Sequence, residues 1–98
     1  MADIPEAELR ELGRELADSV IGVGKVADVD VVTMPDASDS PAHYFSFMLD
    51  PDRSGQRPAL IQLRLGQRIR DELLARGDDT YPFIRFLRPG DWAKRFHA

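Results

Sequence analysis

The chain contains no cysteine. That single absence removes disulfides, thiol nucleophiles and zinc–thiolate sites together, and it suits a reducing cytosol. Histidine is almost as scarce, with His43 and His97 the only two. Neither has a His, Cys or Ser–acid partner nearby in sequence, so no metal-ligand spacing and no nucleophile–base spacing emerges. No apolar run approaches the roughly 18 residues that span a bilayer. The opening Met1-Ala2-Asp3-Ile4-Pro5-Glu6 lacks the basic and apolar regions of a signal peptide. These absences point to a cytoplasmic protein without a membrane segment, a cofactor or a metal. Lysine is scarce too: there are eleven arginines and two lysines. Arginine favours planar, bidentate and stacked contacts with carboxylates, phosphates and aromatics, although GC-rich codon usage produces the same bias.

The charge that is present is unevenly divided. Residues 1–52 carry 12 acidic and 3 basic side chains, and residues 53–98 carry 5 acidic and 10 basic ones. The net of −4 therefore conceals an N-terminal half at −9 and a C-terminal half at +5. Two arrangements follow: the halves neutralise each other within one fold, or the arginine-rich half faces an acidic partner, which includes a second copy. Ninety-eight residues with 43% apolar content suffice for one domain with a single core, spanning 1–98.

Residues 5–20 read as an amphipathic helix, with Leu9, Leu12, Leu16 and Val20 on one stripe and Gly22 and Gly24 ending it. Residues 25–34 read as a strand with Ala27, Val29, Val31 and Thr33 facing the core. A flexible loop is expected over 35–42. Residues 43–50 read as a strand apolar on both faces, hence a central one. After the turn-rich Asp50-Pro51-Asp52-Arg53-Ser54-Gly55, residues 58–76 admit either one long helix or a strand followed by a helix. The alternation of Ile61, Leu63 and Leu65 favours a strand at 59–65, Gly66 as an N-cap, and a helix over 67–76 closed by Gly77. Residues 81–88 read as a last strand with Pro82 at its start or on an edge, and 89–98 as a terminal turn or short helix. The expected fold is α+β in the order α-β-β-β-α-β, a mainly antiparallel sheet of three or four strands with two helices on one face. Its core comprises Leu9, Leu12, Leu16, Val29, Val31, Phe45, Phe47, Ile61, Leu63, Ile69, Leu73, Ile84 and Phe86.

The candidate motifs are short. Gly22-Val23-Gly24-Lys25-Val26-Ala27 fits a dinucleotide fingerprint only in its letters, because a helix precedes it and a strand follows. Asp50–Gly55 imitates an EF-hand start, but Ile61 stands where a bidentate glutamate is required. Asp28-Val29-Asp30-Val31 places two carboxylates on one strand face and resembles the metal-binding strand of nucleotidyltransferase-fold enzymes. That resemblance implies Mg²⁺-dependent nucleotidyl or phosphoryl transfer; the Gly-Ser turn of that family is absent. Ile69-Arg70-Asp71-Glu72-Leu73 followed by Tyr81-Pro82-Phe83-Ile84-Arg85-Phe86 resembles the last helix and strand of ribosome-binding factor A, a KH-like RNA-associated family. It covers under a quarter of the chain, and the strand expected at 59–65 departs from it.

No catalytic set results, so the leading expectation is a protein-interaction or accessory module without activity of its own. Its surface is assigned to Tyr81, Phe83, Arg85, Arg88 and Trp92, the residue types that dominate interface energetics. A protein partner or a homo-oligomer is implied. The first alternative is RNA or single-stranded nucleic-acid binding through Arg57, Arg64, Arg68 and Arg76. The second is metal-dependent transfer at Asp28 and Asp30.

Overall fold

The computed structural model describes residues 4–49 and 58–94. Helix α1 (Glu6–Val20) leads into strand β1 (Val26–Pro35), strand β2 (Pro41–Leu49), helix α2 (Pro58–Ala75), strand β3 (Tyr81–Leu87) and a closing 3-10 helix (Pro89–Lys94). The sheet runs β1-β2-β3, so β2 is central, as its two apolar faces require. The pairing of β1 with β2 is antiparallel and that of β2 with β3 parallel. The result is a small α+β domain with two helices on one face of a mixed three-stranded sheet.

The mixed sheet corrects the expected mainly antiparallel one and the order α-β-β-β-α-β, and α2 is the cause. Residues 59–65 are not a strand, Gly66 caps nothing, and one 18-residue helix covers the whole segment. Ile61, Leu65, Ile69 and Leu73 recur every four residues and are all at most 2% exposed, which is one helical face. Period two and period four share Ile61 and Leu65; only Leu63 distinguishes them, and it is 61% exposed. Leu63 is therefore absent from the core, and Leu65 takes its place. A helix here also dictates the parallel pairing, because parallel neighbours need a crossover of a dozen or more residues.

The first strand carries a second correction. Val26 pairs with Leu49 and Asp28 with Met48, which leaves Ala27 as the extra residue of a β-bulge. The bulge switches faces, so Val26, Val29 and Val31 are buried while Ala27 is exposed. The connection expected over 35–42 shrinks to 36–40, because Pro35 and Pro41 still pair. Asp36 organises that turn: its Oδ1 accepts the backbone N–H of Ser38 at 2.8 Å and of Ser40 at 3.1 Å. The turn at Asp50–Gly55 and the side chains of Arg57, Phe96 and His97 lie outside the described residues.

The core sits between both helices and the sheet face formed by Val29, Val31, Phe45, Phe47 and Leu49, with Ile84 and Phe86 partly buried against it. Helix α1 approaches this face closely at Gly13, where a Cβ would lie 3.2 Å from the Phe45 ring and 3.3 Å from Val29. Gly66, also inside a helix, would place a Cβ at an ordinary 3.6 Å from Ile84. Replacing a helix-interior glycine by alanine stabilises by roughly 0.5–1 kcal/mol where space allows. Gly66→Ala is therefore expected to raise the free energy of unfolding by that amount. Gly13→Ala should give no gain, since its methyl presses on a fully buried ring. Paired urea titrations check the contrast; equal gains at both positions would show that α1 does not pack as closely as described.

Candidate functional site

The sheet face turned away from the helices is open, and the registers determine who shares it. Ser46 pairs with Asp30 on one side and Arg85 on the other; Tyr44 pairs with Val32 and Phe83; Ala42 pairs with Met34 and Tyr81. Side chains alternate along a strand, so Tyr81, Phe83 and Arg85 all project from this face beside Tyr44. The Tyr44 and Phe83 rings stack at 5.0 Å with 13° between planes, and Tyr81 leans on Phe83 at 4.8 Å. The Arg70 guanidinium of α2 lies 5.3 Å from the Tyr81 ring centre, a cation–π contact. Tyr81 is 50% and Phe83 39% exposed. The charge division of the sequence reappears across this face: Asp28 and Asp30 stand on the β1 edge and Arg85 on the β3 edge, with an apolar and aromatic middle. Arg85 Nε donates to the buried Ser46 hydroxyl at 3.4 Å.

Of the five residues assigned to an interaction surface, three thus meet on one face. Arg88 follows β3 directly and Trp92 lies in the 3-10 helix, which packs against β2 and β3. Of the candidate nucleic-acid contacts, Arg64 and Arg68 form a separate exposed patch on α2 beside Ser19 and Val20 at the end of α1. Arg76 reaches back to the acidic N-terminal half, with Nη1 3.1 Å from Glu8 Oε1, and sits 3.7 Å from Glu72. All three lie along the side of α2 that meets α1, with Arg76 engaged by Glu8 and Glu72.

Asp28 and Asp30 do share a face, but each uses Oδ1 to accept the backbone N–H of the next residue, at 2.8 and 2.9 Å. Among the described residues no group of three His, Cys, Asp or Glu side chains is placed to hold a metal ion. No helix among them is long and apolar enough to cross a membrane.

One arrangement escaped the sequence altogether. His43, 5% exposed, places Nε2 2.8 Å from Oδ2 of Asp78, itself 4% exposed, and Nδ1 2.7 Å from the Thr33 hydroxyl. Ten and 35 residues separate these partners from His43, so no local spacing announces them. Thr33 stands opposite His43 in the β1–β2 register, and Asp78 is delivered by the end of α2. There Gly77, at φ +84°, closes a Schellman turn in which the Asp78 N–H donates to the Leu73 carbonyl at 2.8 Å. With the carboxylate accepting from Nε2–H, the Thr33 hydroxyl completes the ring at Nδ1, donating to a neutral imidazole or accepting from a charged one. A His–acid pair holding a hydroxyl has the distances of a nucleophile–base arrangement. Around it, the Thr33 N–H donates to Glu6 Oε2 at 2.9 Å, Thr33 itself is exposed, and His43 and Asp78 are buried.

Burial by itself would raise the Asp78 carboxyl. Hydrogen bonds from Thr80 and His43, with the charge of His43, outweigh burial and hold it below its ordinary 3.8. A carboxyl depressed in the native state lends stability that is complete above its unfolded value and is lost as pH falls through the native one. Acid unfolding of the wild type should therefore show a loss below about pH 4 that Asp78→Asn no longer contributes. At neutral pH, Asp78→Ala should cost on the order of 1–3 kcal/mol, because His43 keeps a buried polar nitrogen without its partner. Urea unfolding across pH checks both; an Asp78→Asn curve with the same acid dependence as wild type would contradict the assignment.

Compared with known proteins, the chain matches no family model and no curated protein. Geometry therefore carries the functional reading.

Proposed function

We propose that the chain is a protein-interaction module, without chemistry of its own, that binds through the open sheet face at β3. The observation that supports this is the aromatic row Tyr44–Phe83–Tyr81 with Arg70 against its end: two large aromatics remain substantially exposed on a rigid strand. Such anchors are rigid, amphipathic and already ordered, so little entropy is lost when they are covered. A buried equivalent would need no guanidinium, and a purely solvated face would need no aromatics.

The same row favours one second reading. Exposed rings flanked by Arg70 and Arg85 are also a stacking platform for single-stranded nucleic acid. The net charge of −4, the acidic β1 edge and the position of Arg64, Arg68 and Arg76 toward α1 rather than beside this row speak for a protein partner instead.

Tyr81→Ala and Phe83→Ala should weaken capture of the partner, or of a second copy, at least tenfold, as loss of an interface anchor does. Leu74→Ala, at an exposed leucine elsewhere on α2, should leave it unchanged. Quantitative pull-down and sedimentation equilibrium measure the two cases, and equal retention by all three variants would refute the surface. Anisotropy with a fluorescent oligothymidylate tests the nucleic-acid reading: binding that falls steeply with salt would replace the protein partner by a nucleic acid.

A further inference from the structure

Around the outer edge of β3 the aromatic face continues into a groove. It lies between this strand and the flank of α2, has a volume of about 400 Å³, and is lined by Gln62, Leu63, Gly66 and Arg70 opposite Tyr81–Ile84. Three independent observations bear on what it holds. First, among the described residues β3 is an edge strand that pairs only with β2, and its groove-side backbone is not blank. The Ile84 carbonyl accepts a hydrogen bond from Gln62 Nε2 at 2.7 Å, so it points into the groove. In a parallel ladder alternate residues turn both backbone groups to the same side, which directs the Ile84 N–H there too. Gln62 thus makes the bond that an added strand would make.

Second, Gly66 sits mid-helix where neither its backbone nor its packing asks for glycine: its φ is not positive, and a Cβ would meet only Ile84 at van der Waals distance. What its missing side chain does is deepen the groove. Third, Arg70 is the sole charged residue of the lining. Its guanidinium is held over Tyr81, and it makes no ion pair among the described residues.

We infer that this groove takes an extended peptide strand that pairs with the edge of β3, seats an apolar side chain over Gly66 and presents a carboxylate to Arg70. The backbone bonds give affinity, the apolar seat gives register, and the lone cation selects an acidic over a basic segment. This inference rests on the interaction reading above and names the partner's chemistry.

The probes are two capped hexapeptides, Glu-Val-Thr-Val-Glu-Val and Lys-Val-Thr-Val-Lys-Val, titrated into the ¹⁵N-labelled chain. The acidic peptide should shift amides of residues 83–86 and 62–70 and bind about tenfold more tightly than the basic one, the weight of one charge-assisted hydrogen bond. Arg70→Gln should abolish that preference, and Gly66→Leu should block both peptides while the remaining spectrum stays native. No shifts, shifts confined to the open face away from the groove, or equal affinities would overturn the proposal. Amide shifts that depend on protein concentration without peptide would overturn it in favour of a second copy at the edge. Partner binding distinguishes the two levels: a partner released by Phe83→Ala but kept by Gly66→Leu ends the groove proposal and leaves the interaction surface standing, whereas a partner indifferent to both ends both.

Discussion

The hydrogen bond between His43 and Asp78 is the constraint on which the aromatic face of this molecule depends. Asp78 stands three residues ahead of β3, and His43 stands in β2 opposite Pro82. Tying one to the other sets where β3 begins against β2. A slip of one residue would turn every side chain of β3 over: Tyr81, Phe83 and Arg85 would point toward the helices, and Ile84 and Phe86 toward solvent. Buried polar pairs add little net stability compared with apolar packing, and their best-attested use is to specify one register. That use fits this pair, whose hydrogen bonds are complete: Nδ1 with Thr33, Nε2 with Asp78, and the second carboxylate oxygen with the Thr80 N–H at 2.9 Å.

Helix α2 stands at the other end of the same logic. Its buried stripe fixes it against the core, its C-terminal glycine delivers Asp78, and the flank next to the stripe supplies Gln62, Gly66 and Arg70 to the strand edge. One element therefore sets the direction of β3, its register and the groove beside it. The charge division of the sequence is resolved within this frame in two ways. Arg76 meets Glu8 across the two halves, while Arg70 and Arg85 are placed at an aromatic surface. Surface ion pairs of the first kind contribute only a few tenths to about 1 kcal/mol, so the asymmetry adds little to folding.

Much of the fold was legible from side-chain periodicity. Helix α1 and both faces of β2 follow from Leu9, Leu12, Leu16 and from the alternation of Tyr44 with Phe45, and Gly77 marked the end of α2 correctly. The misreading of 59–65 arose where two periods coincide on Ile61 and Leu65 and a solvent-exposed Leu63 decided wrongly. The bulge at Ala27 was invisible because a run of small and β-branched residues tolerates either face. For the site, Tyr81, Phe83 and Arg85 were recognisable by residue type and spacing. Tyr44, Arg70 and the His43–Asp78–Thr33 chain were not, because only the β1–β2 hairpin and the α2 crossover bring them together from distant positions.

Amide hydrogen exchange across β3 in Asp78→Ala tests the central role of the buried pair most directly. If the pair sets the register, protection should fall cooperatively through Phe83, Ile84, Arg85 and Phe86, together with loss of the Tyr44–Phe83 ring contact, while β1 and α1 remain protected. Faster exchange confined to residues 78–80, with β3 protected and the rings still in contact, would show that the strand finds its register without His43 and Asp78.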